Sequence, residues 1–206
     1  EFTTVVPRRV EEICSLKAAC CAGRSDGRMR QDMVIYSIGH SNHNWDTFYA
    51  LLREHGVEVL VDTRTKPTSK WAPFASARTL PGLTQNERIE YVFMGDSLGG
   101  KPADRSSYDA RGKPDYARIR SKEFFKTAIA ELVNMAASAR VALMCAEEDP
   151  AKCHRKLLIG PALEQVGVTL LHIRQDGSVQ SSGATGSKKA YQQQLQGALP
   201  LEVVDE

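Results

Sequence analysis

The sequence predicts an α/β fold: a mainly parallel β-sheet with helices on both faces, three layers forming a single domain. Three observations lead there. Short β-branched-rich runs alternate with stretches of helical periodicity, in the order β-α-β and then β-α-β-α-β. The run 141–144 (VALM) is apolar throughout and bounded by polar residues, as a buried strand is. The length of 206 residues, with 42% hydrophobic and 25% charged, suits one sizeable core and is short for two.

Residues 1–32 mix charges with three cysteines and show no strand pattern, so they read as a poorly ordered N-terminal extension, with a short amphipathic helix over 10–20 as its one candidate element. The domain spans 33–175. Its first strand, MVIYSIG, runs into Gly39-His40-Ser41-Asn42-His43. Trp45, Phe48, Tyr49, Leu51 and Leu52 then recur at helical spacing, and Gly56 suits the C-cap. Strands follow at 57–61 and 88–93. Residues 121–139 carry the clearest helical face, built on Phe124, Phe125, Ala128, Ile129, Leu132, Val133 and Met135. The fourth strand, 141–144, leads into Asp149-Pro150, an N-cap with proline at the first helical position, and so into a helix over 150–166. A fifth strand occupies 168–173. From 176 to 206 the Ser-, Gly-, Gln- and Lys-rich composition reads as a flexible tail.

The net charge of +2 calls for no polyelectrolyte partner. No apolar run approaches the roughly 18 residues of a membrane-spanning helix. Five cysteines without a secretory segment before them read as reduced thiols of a cytoplasmic protein. Locally the balance differs: 63–120 holds 11 Lys or Arg against 6 Asp or Glu, with Trp71, Phe74, Tyr108 and Tyr116 interleaved. The loops 65–86 and 95–120 are long for plain connections, which points to function.

The candidate site surrounds 140–155. Loops at the carboxyl ends of parallel strands are where open α/β sheets bind ligands, so the loops after strands one, two and four should share one crevice. Cys145, at a strand end, is a candidate nucleophile, although Glu147, Glu148 and Asp149 nearby would raise its pKa. Cys153, in the first turn of the expected helix beside His154 and Arg155, has the better setting for a thiolate. His154 aligns with Leu158 and Ala162, so a core histidine is the alternative. Glu147 is a candidate general base and His40 a second acid–base group, with Ser41 near the ligand or capping the next helix. Asp62 would orient Arg64 for bidentate contact to phosphate or carboxylate, unless the pair only pins its loop. Arg155, unfavourably near a helix start, calls for an acidic partner or an anionic ligand. No cofactor or metal is expected; Cys145, Cys153 and His154 are soft donors, but the eight-residue separation of the cysteines is not a common zinc spacing. Gly99-Gly100-Lys101 lacks P-loop spacing and reads as a flexible turn. His43 and His55 read as surface residues.

Together Ile38-Gly39-His40-Ser41, Val61-Asp62-Thr63-Arg64, Pro67-Thr68-Ser69 with Phe74, Ser97-Leu98-Gly99-Gly100, Met144-Cys145-Ala146-Glu147, Cys153-His154-Arg155 and the His172-bearing last strand resemble the domain of unknown function 488 family. The resemblance covers roughly residues 33–174 and is most specific at Cys-Ala-Glu…Cys-His-Arg. Thr63 departs from the family's usual Val or Ile, while Asp62 and Arg64 are kept. The resemblance implies a compact α/β domain and no particular reaction.

Three functions fit these residues. The first is an enzyme, hydrolase or transferase, acting on an anionic small molecule, nucleotide or nucleic-acid base. The second is a nucleic-acid-binding module that uses the basic, aromatic loops without catalysis. The third is a rhodanese-like sulfur carrier, for which the acidic loop after Cys145 is the wrong surrounding.

Overall fold

The computed structural model describes residues 33–182, so the N-terminal extension with its candidate helix, and the tail from 183, lie outside the described residues. Its centre is one six-stranded sheet in the order β3-β2-β4-β1-β5-β6. The strands are β1 (Val34–Gly39), β2 (Val59–Asp62), β3 (Glu90–Phe93), β4 (Val141–Cys145), β5 (Thr169–Ile173) and β6 (Val179–Ser181). The first five are parallel, and β6 pairs antiparallel with β5.

The crossovers decide which face each helix covers. From β1 through β2 to β3 the chain moves one way across the sheet, by α1 (Trp45–Glu54) and α2 (Leu80–Asn86). Phe48, Leu51, Leu52 and Leu80 from these helices pack with Tyr36, Ile38, Leu60, Ala142 and Met144 on one face. From β3 to β4 and β5 it returns, by α3 (Gly95–Leu98), α4 (Tyr116–Ser121), α5 (Glu123–Ala136) and α6 (Gly160–Gln165). These bury Leu98, Ile119, Phe125, Leu132 and Leu163 against Ile35, Val61, Val141 and Leu143 on the other. Right-handed crossovers require the change of face when the direction reverses. Strand β4 therefore lies between two strands whose loops leave toward the opposite face, which makes its carboxyl end the topological switch point.

Several boundaries differ from the sequence expectation, each for a local reason. Asn44, not Ser41 or Asn42, caps α1 through Thr47 N–H. The long loops contain α2, α3, α4 and two short 3-10 turns at Pro73–Ala75 and Arg105–Ser107. Residues 176–206 do not all form a tail, because β6 extends the ordered chain by pairing with β5. His55 is buried, its Nε2 bound to the Gly177 carbonyl 3.1 Å away, rather than on the surface.

The helix expected over 150–166 is three pieces: a 3-10 turn at Pro150–Lys152, a π-helical turn at Arg155–Ile159, and α6. Pro161 explains the break, since it has no N–H for the Leu157 carbonyl. Arg120 supplies the missing donor at 3.2 Å. Cys153 stands in the first gap with an extended backbone (φ −112°, ψ 144°), not in a helical first turn.

Gly39 lets the β1 and β4 loops touch backbone to backbone, because a Cβ there would overlap the Glu147 carbonyl. Gly39→Ala should lower unfolding stability by on the order of 3 kcal/mol. Gly82→Ala, in helix α2 with open space around it, should raise stability by about 0.5–1 kcal/mol. Urea denaturation of both variants measures the contrast, and an unchanged midpoint for Gly39→Ala would refute the contact.

Candidate functional site

Cys145 ends β4 and, by the alternation that sends Val141 and Leu143 to the α5–α6 face, turns toward that face. After it, Asp149 accepts from Ala151 N–H and caps the 3-10 turn as its Asp-Pro pair implies. The extended backbone at Cys153 brings its sulfur within 4.8 Å of that of Cys145. His154 Nδ1 lies 3.7 Å from each sulfur. Its Nε2 is 3.0 Å from the Thr63 carbonyl, which can only accept, so Nε2 carries the ring proton and Nδ1 faces the thiols.

Arg155 completes the cluster. It is 1% exposed, with Nε 3.2 Å from Cys153 Sγ and Nη1 3.3 Å from Ser37 Oγ. Nη2 donates to the carbonyls of Glu147 and Glu148. No carboxylate stands among these partners. A buried guanidinium without a counter-charge costs several kcal/mol, and the sulfur of Cys153 is the group able to supply one. The Cys145 thiol beside it lowers Cys153 most, against the cost of burial, and His154 and the Arg155 charge add to it, so the thiol is held well below the usual range. Cys145 moves the other way, pushed up first by the neighbouring Cys153 sulfur and then by burial. Nearby carboxylates are not what raises it.

Behind Arg155 the network continues into the sheet. Ser37 Oγ, accepting from Arg155, lies 2.6 Å from His172 Nδ1. His172 is held down to about 3 by burial first and then by the Arg155 charge, and its Nε2 has no hydrogen-bond partner among the described residues. Tyr116 and Gly100 lie beside His154. Burial and then the two cysteines raise the Tyr116 phenol. A Cβ on Gly100 would come within 3.0 Å of His154 Cβ and 3.3 Å of the Tyr116 hydroxyl. The Gly-Gly turn is a packed cover rather than a flexible one.

On the opposite face Asp62 and Arg64 form a second cluster. Arg64 Nε and Nη2 grip the Asp62 carboxylate at 2.9 and 2.7 Å, Nη2 also reaches the Ala75 carbonyl at 2.6 Å, and Nη1 donates to His40 Nε2 at 3.1 Å. Tyr91 adds a hydroxyl to the same carboxylate at 2.8 Å. Arg64 is 4% exposed, so the arrangement pins the loop after β2 and offers an anion no bidentate fork. His40 donates from Nδ1 to the Ser41 carbonyl, and burial above all holds it down to about 4. At neutral pH it is a neutral acceptor for Arg64.

The loops after β1, β2 and β4 do meet. His40 N–H binds the Cys145 carbonyl at 2.8 Å, and Thr63 N–H binds the Met144 carbonyl at 3.1 Å. Cys145, Cys153, His154 and Arg155 come together, while Asp62, Arg64 and His40 assemble on the other face. Glu147 is exposed and contributes its carbonyl rather than its carboxylate. Glu148 pairs with Arg174 at 2.8 Å. Ser41 turns its hydroxyl to Asn42.

Sequence reasoning missed Thr63, Ser37, His172, Gly100 and Tyr116 as site residues. A serine inside the buried VIYSIG strand was a usable signal. Tyr116 and Gly100 come from a distant loop, and no local pattern marks them.

Cys145, Cys153 and His154 also offer three soft donors within 4.8 Å of one another. Tetrahedral zinc, with bonds of about 2.3 Å to sulfur and about 2.0 Å to nitrogen, places S and N about 3.6 Å apart. The spacing therefore fits a thiophilic cation, and a His held by a backbone carbonyl is the usual outer-shell support. The charge fits less well. A divalent cation would neutralise both thiolates and leave buried Arg155 without its counter-charge.

The fold and site define a parallel-sheet α/β domain with a buried thiol–imidazole–guanidinium cluster at its switch point. The chain belongs to the family described as domain of unknown function DUF488, whose family model matches residues 44–160. The match is narrower than the 33–174 expected; it includes both cysteines, His154 and Arg155, and leaves out β1 and β5 with Ser37 and His172. Neither the curated proteins nor the solved structures give a match.

Asp62→Asn should cost about 3–5 kcal/mol, because it leaves the Arg64 charge buried and unpaired. Denaturant unfolding measures the loss. A change below about 1 kcal/mol would mean that Arg64 has another counter-charge and is not a structural pin.

Proposed function

We propose that this domain is an enzyme, a hydrolase or transferase, in which the Cys153 thiolate attacks an anionic small molecule, nucleotide or nucleic-acid base. The observation that carries the reading is the buried Arg155, which lacks a carboxylate and sets its Nε 3.2 Å from Cys153 Sγ. A nucleophilic cysteine needs its thiolate at working pH; the Arg155 guanidinium favours it, and the His154 imidazole does so once Nδ1 takes up the thiol proton. His154, with Nδ1 toward the sulfurs and Nε2 anchored on Thr63, is placed to move a proton to or from the reacting group.

The other two readings have less support. Of the four aromatics in the basic loops, Phe74 packs on Trp45 and Phe48, Tyr108 bonds the Pro102 carbonyl, and Tyr116 is half-buried beside Gly100. Trp71 alone stands out, 76% exposed with Lys70 over its ring, which is little for base stacking. A rhodanese-like carrier needs its thiolate at the strand end, where the neighbouring Cys153 sulfur and burial push the Cys145 thiol up. As for location, no helix among the described residues is long and apolar enough to cross a membrane.

Alkylation by iodoacetamide, resolved by peptide mass spectrometry, tests the reading. Cys153 is lowered, so its anion persists as pH falls through neutrality. Labelling should stay nearly constant from about pH 8 to about pH 5, well below the ordinary thiol range, and decline only toward the lowered pKa. Arg155→Met removes one of the groups that lower the Cys153 thiol, so the decline in labelling should begin at a higher pH than in the native protein. Two thiols that are inert until the protein unfolds would end the proposal.

A further inference from the structure

We infer that Cys145 and Cys153 form a dithiol–disulfide pair that a small hydroperoxide oxidises, with Cys153 attacking and Cys145 resolving. The inference rests on the reading of Cys153 as the nucleophile and assigns Cys145 a separate task.

The geometry sets the two sulfurs side by side. They lie within 4.8 Å of each other, and each is 3.7 Å from His154 Nδ1. Cys145 ends a strand at the centre of the sheet, and Cys153 sits on an extended residue between two tight turns. The short segment between the turns is the part of this arrangement able to adjust as the sulfurs close to bonding distance. Neither cysteine is paired in a disulfide in this structure.

The burial of the pair favours a small reactant. Cys153 is 3% exposed and Cys145 8%. A protein disulfide does not reach such sulfurs, whereas hydrogen peroxide is close to water in size. The Arg155 guanidinium holds the attacking sulfur and lies near the charge that develops on the departing oxygen.

The Cys153 thiolate attacks the near oxygen of the hydroperoxide; the O–O bond breaks, and the leaving oxygen takes a proton to depart as an alcohol or water. Cys153 becomes a sulfenic acid. Cys145 then attacks that sulfur, giving its proton to His154 Nδ1, which lies 3.7 Å from Cys145 Sγ and passes the proton to the departing hydroxide. A disulfide and one water result. The two thiols lose two electrons and the peroxide gains them. The closed disulfide removes both the nucleophile and the counter-charge of Arg155, so oxidation switches the site off until a reductant restores it.

The test uses the full chain, reduced, treated with stoichiometric hydrogen peroxide, then quenched and digested. The expected result is a cross-linked peptide pair holding Cys145 and Cys153, about 2 Da below the sum of the reduced peptides and reversed by phosphine reductant. In Cys145→Ser the reaction should stop at Cys153 sulfenic acid, trapped by dimedone. Peptide-level readout keeps Cys14, Cys20 and Cys21 separate from the pair. Rapid alkylation of Cys153 together with its conversion to sulfinic acid, while Cys145 stays free, would overturn the resolving role and leave the nucleophile reading intact. Slow alkylation of Cys153 would overturn the nucleophile reading itself. Protection of both cysteines by one equivalent of zinc, without disulfide on peroxide treatment, would overturn the pair in favour of a metal centre.

Discussion

A positive charge with no acid beside it organises the carboxyl end of this sheet. Arg155 is buried among the core leucines, and its guanidinium makes four hydrogen bonds, to two carbonyls, a serine hydroxyl and a sulfur. Burial of that charge costs least while one of those partners carries negative charge. The carbonyls and the hydroxyl supply dipoles, which leaves Cys153 as the anion. Much else follows from that demand. The Glu147 and Glu148 carbonyls must turn inward, so the loop after β4 folds over β1 and needs a glycine at 39. Ser37 must be polar in an otherwise apolar strand. The helix must break near 153–160 so that Arg155 points at the sheet rather than along a regular helical face.

Strand order provides the place for this charge. Because β4 is flanked by strands whose chains leave on the other face, its end is not roofed by a crossover helix. The space is taken up instead by the loops after β1 and β2 and by the Gly95–Leu98 segment with the two glycines that follow it. Two saturated clusters result, one on each face: a carboxylate–guanidinium pin on the α1–α2 side and a thiol cluster on the α5–α6 side. Both contain an arginine, but their chemistry differs because Asp62 answers one and a cysteine answers the other.

Much of the fold was legible in the sequence, since strands and amphipathic helices follow from the periodicity of burial. The breaks were less so. Residues 150–166 keep helical spacing because Leu158, Ala162 and Leu163 do face the core, and a π-turn shifts register without erasing that pattern. Pro161 was the available sign. Within the site, the chemistry at Cys153, His154 and Arg155 could be read from residue types that lie next to one another. The saturation of Arg64 could not, because the Ala75 carbonyl and His40 that complete it come from other segments. The same holds for Tyr116. Side-chain partners brought in from afar leave no local trace, and the difference between a free arginine and an occupied one lies in those partners.

The rims of the sheet have a bearing on how the protein behaves at high concentration. Among the described residues the outermost strands are β3, four residues long, and β6, three residues long. A foreign strand gains little from ladders that short, and Glu90 places a carboxylate on one of them. The small antiparallel β6 also covers β5, whose apolar TLLHI run would otherwise present a longer template for self-association. A segment whose composition resembles idle tail thus acts as a hem, keeping the most adhesive edge of the sheet occupied by its own chain.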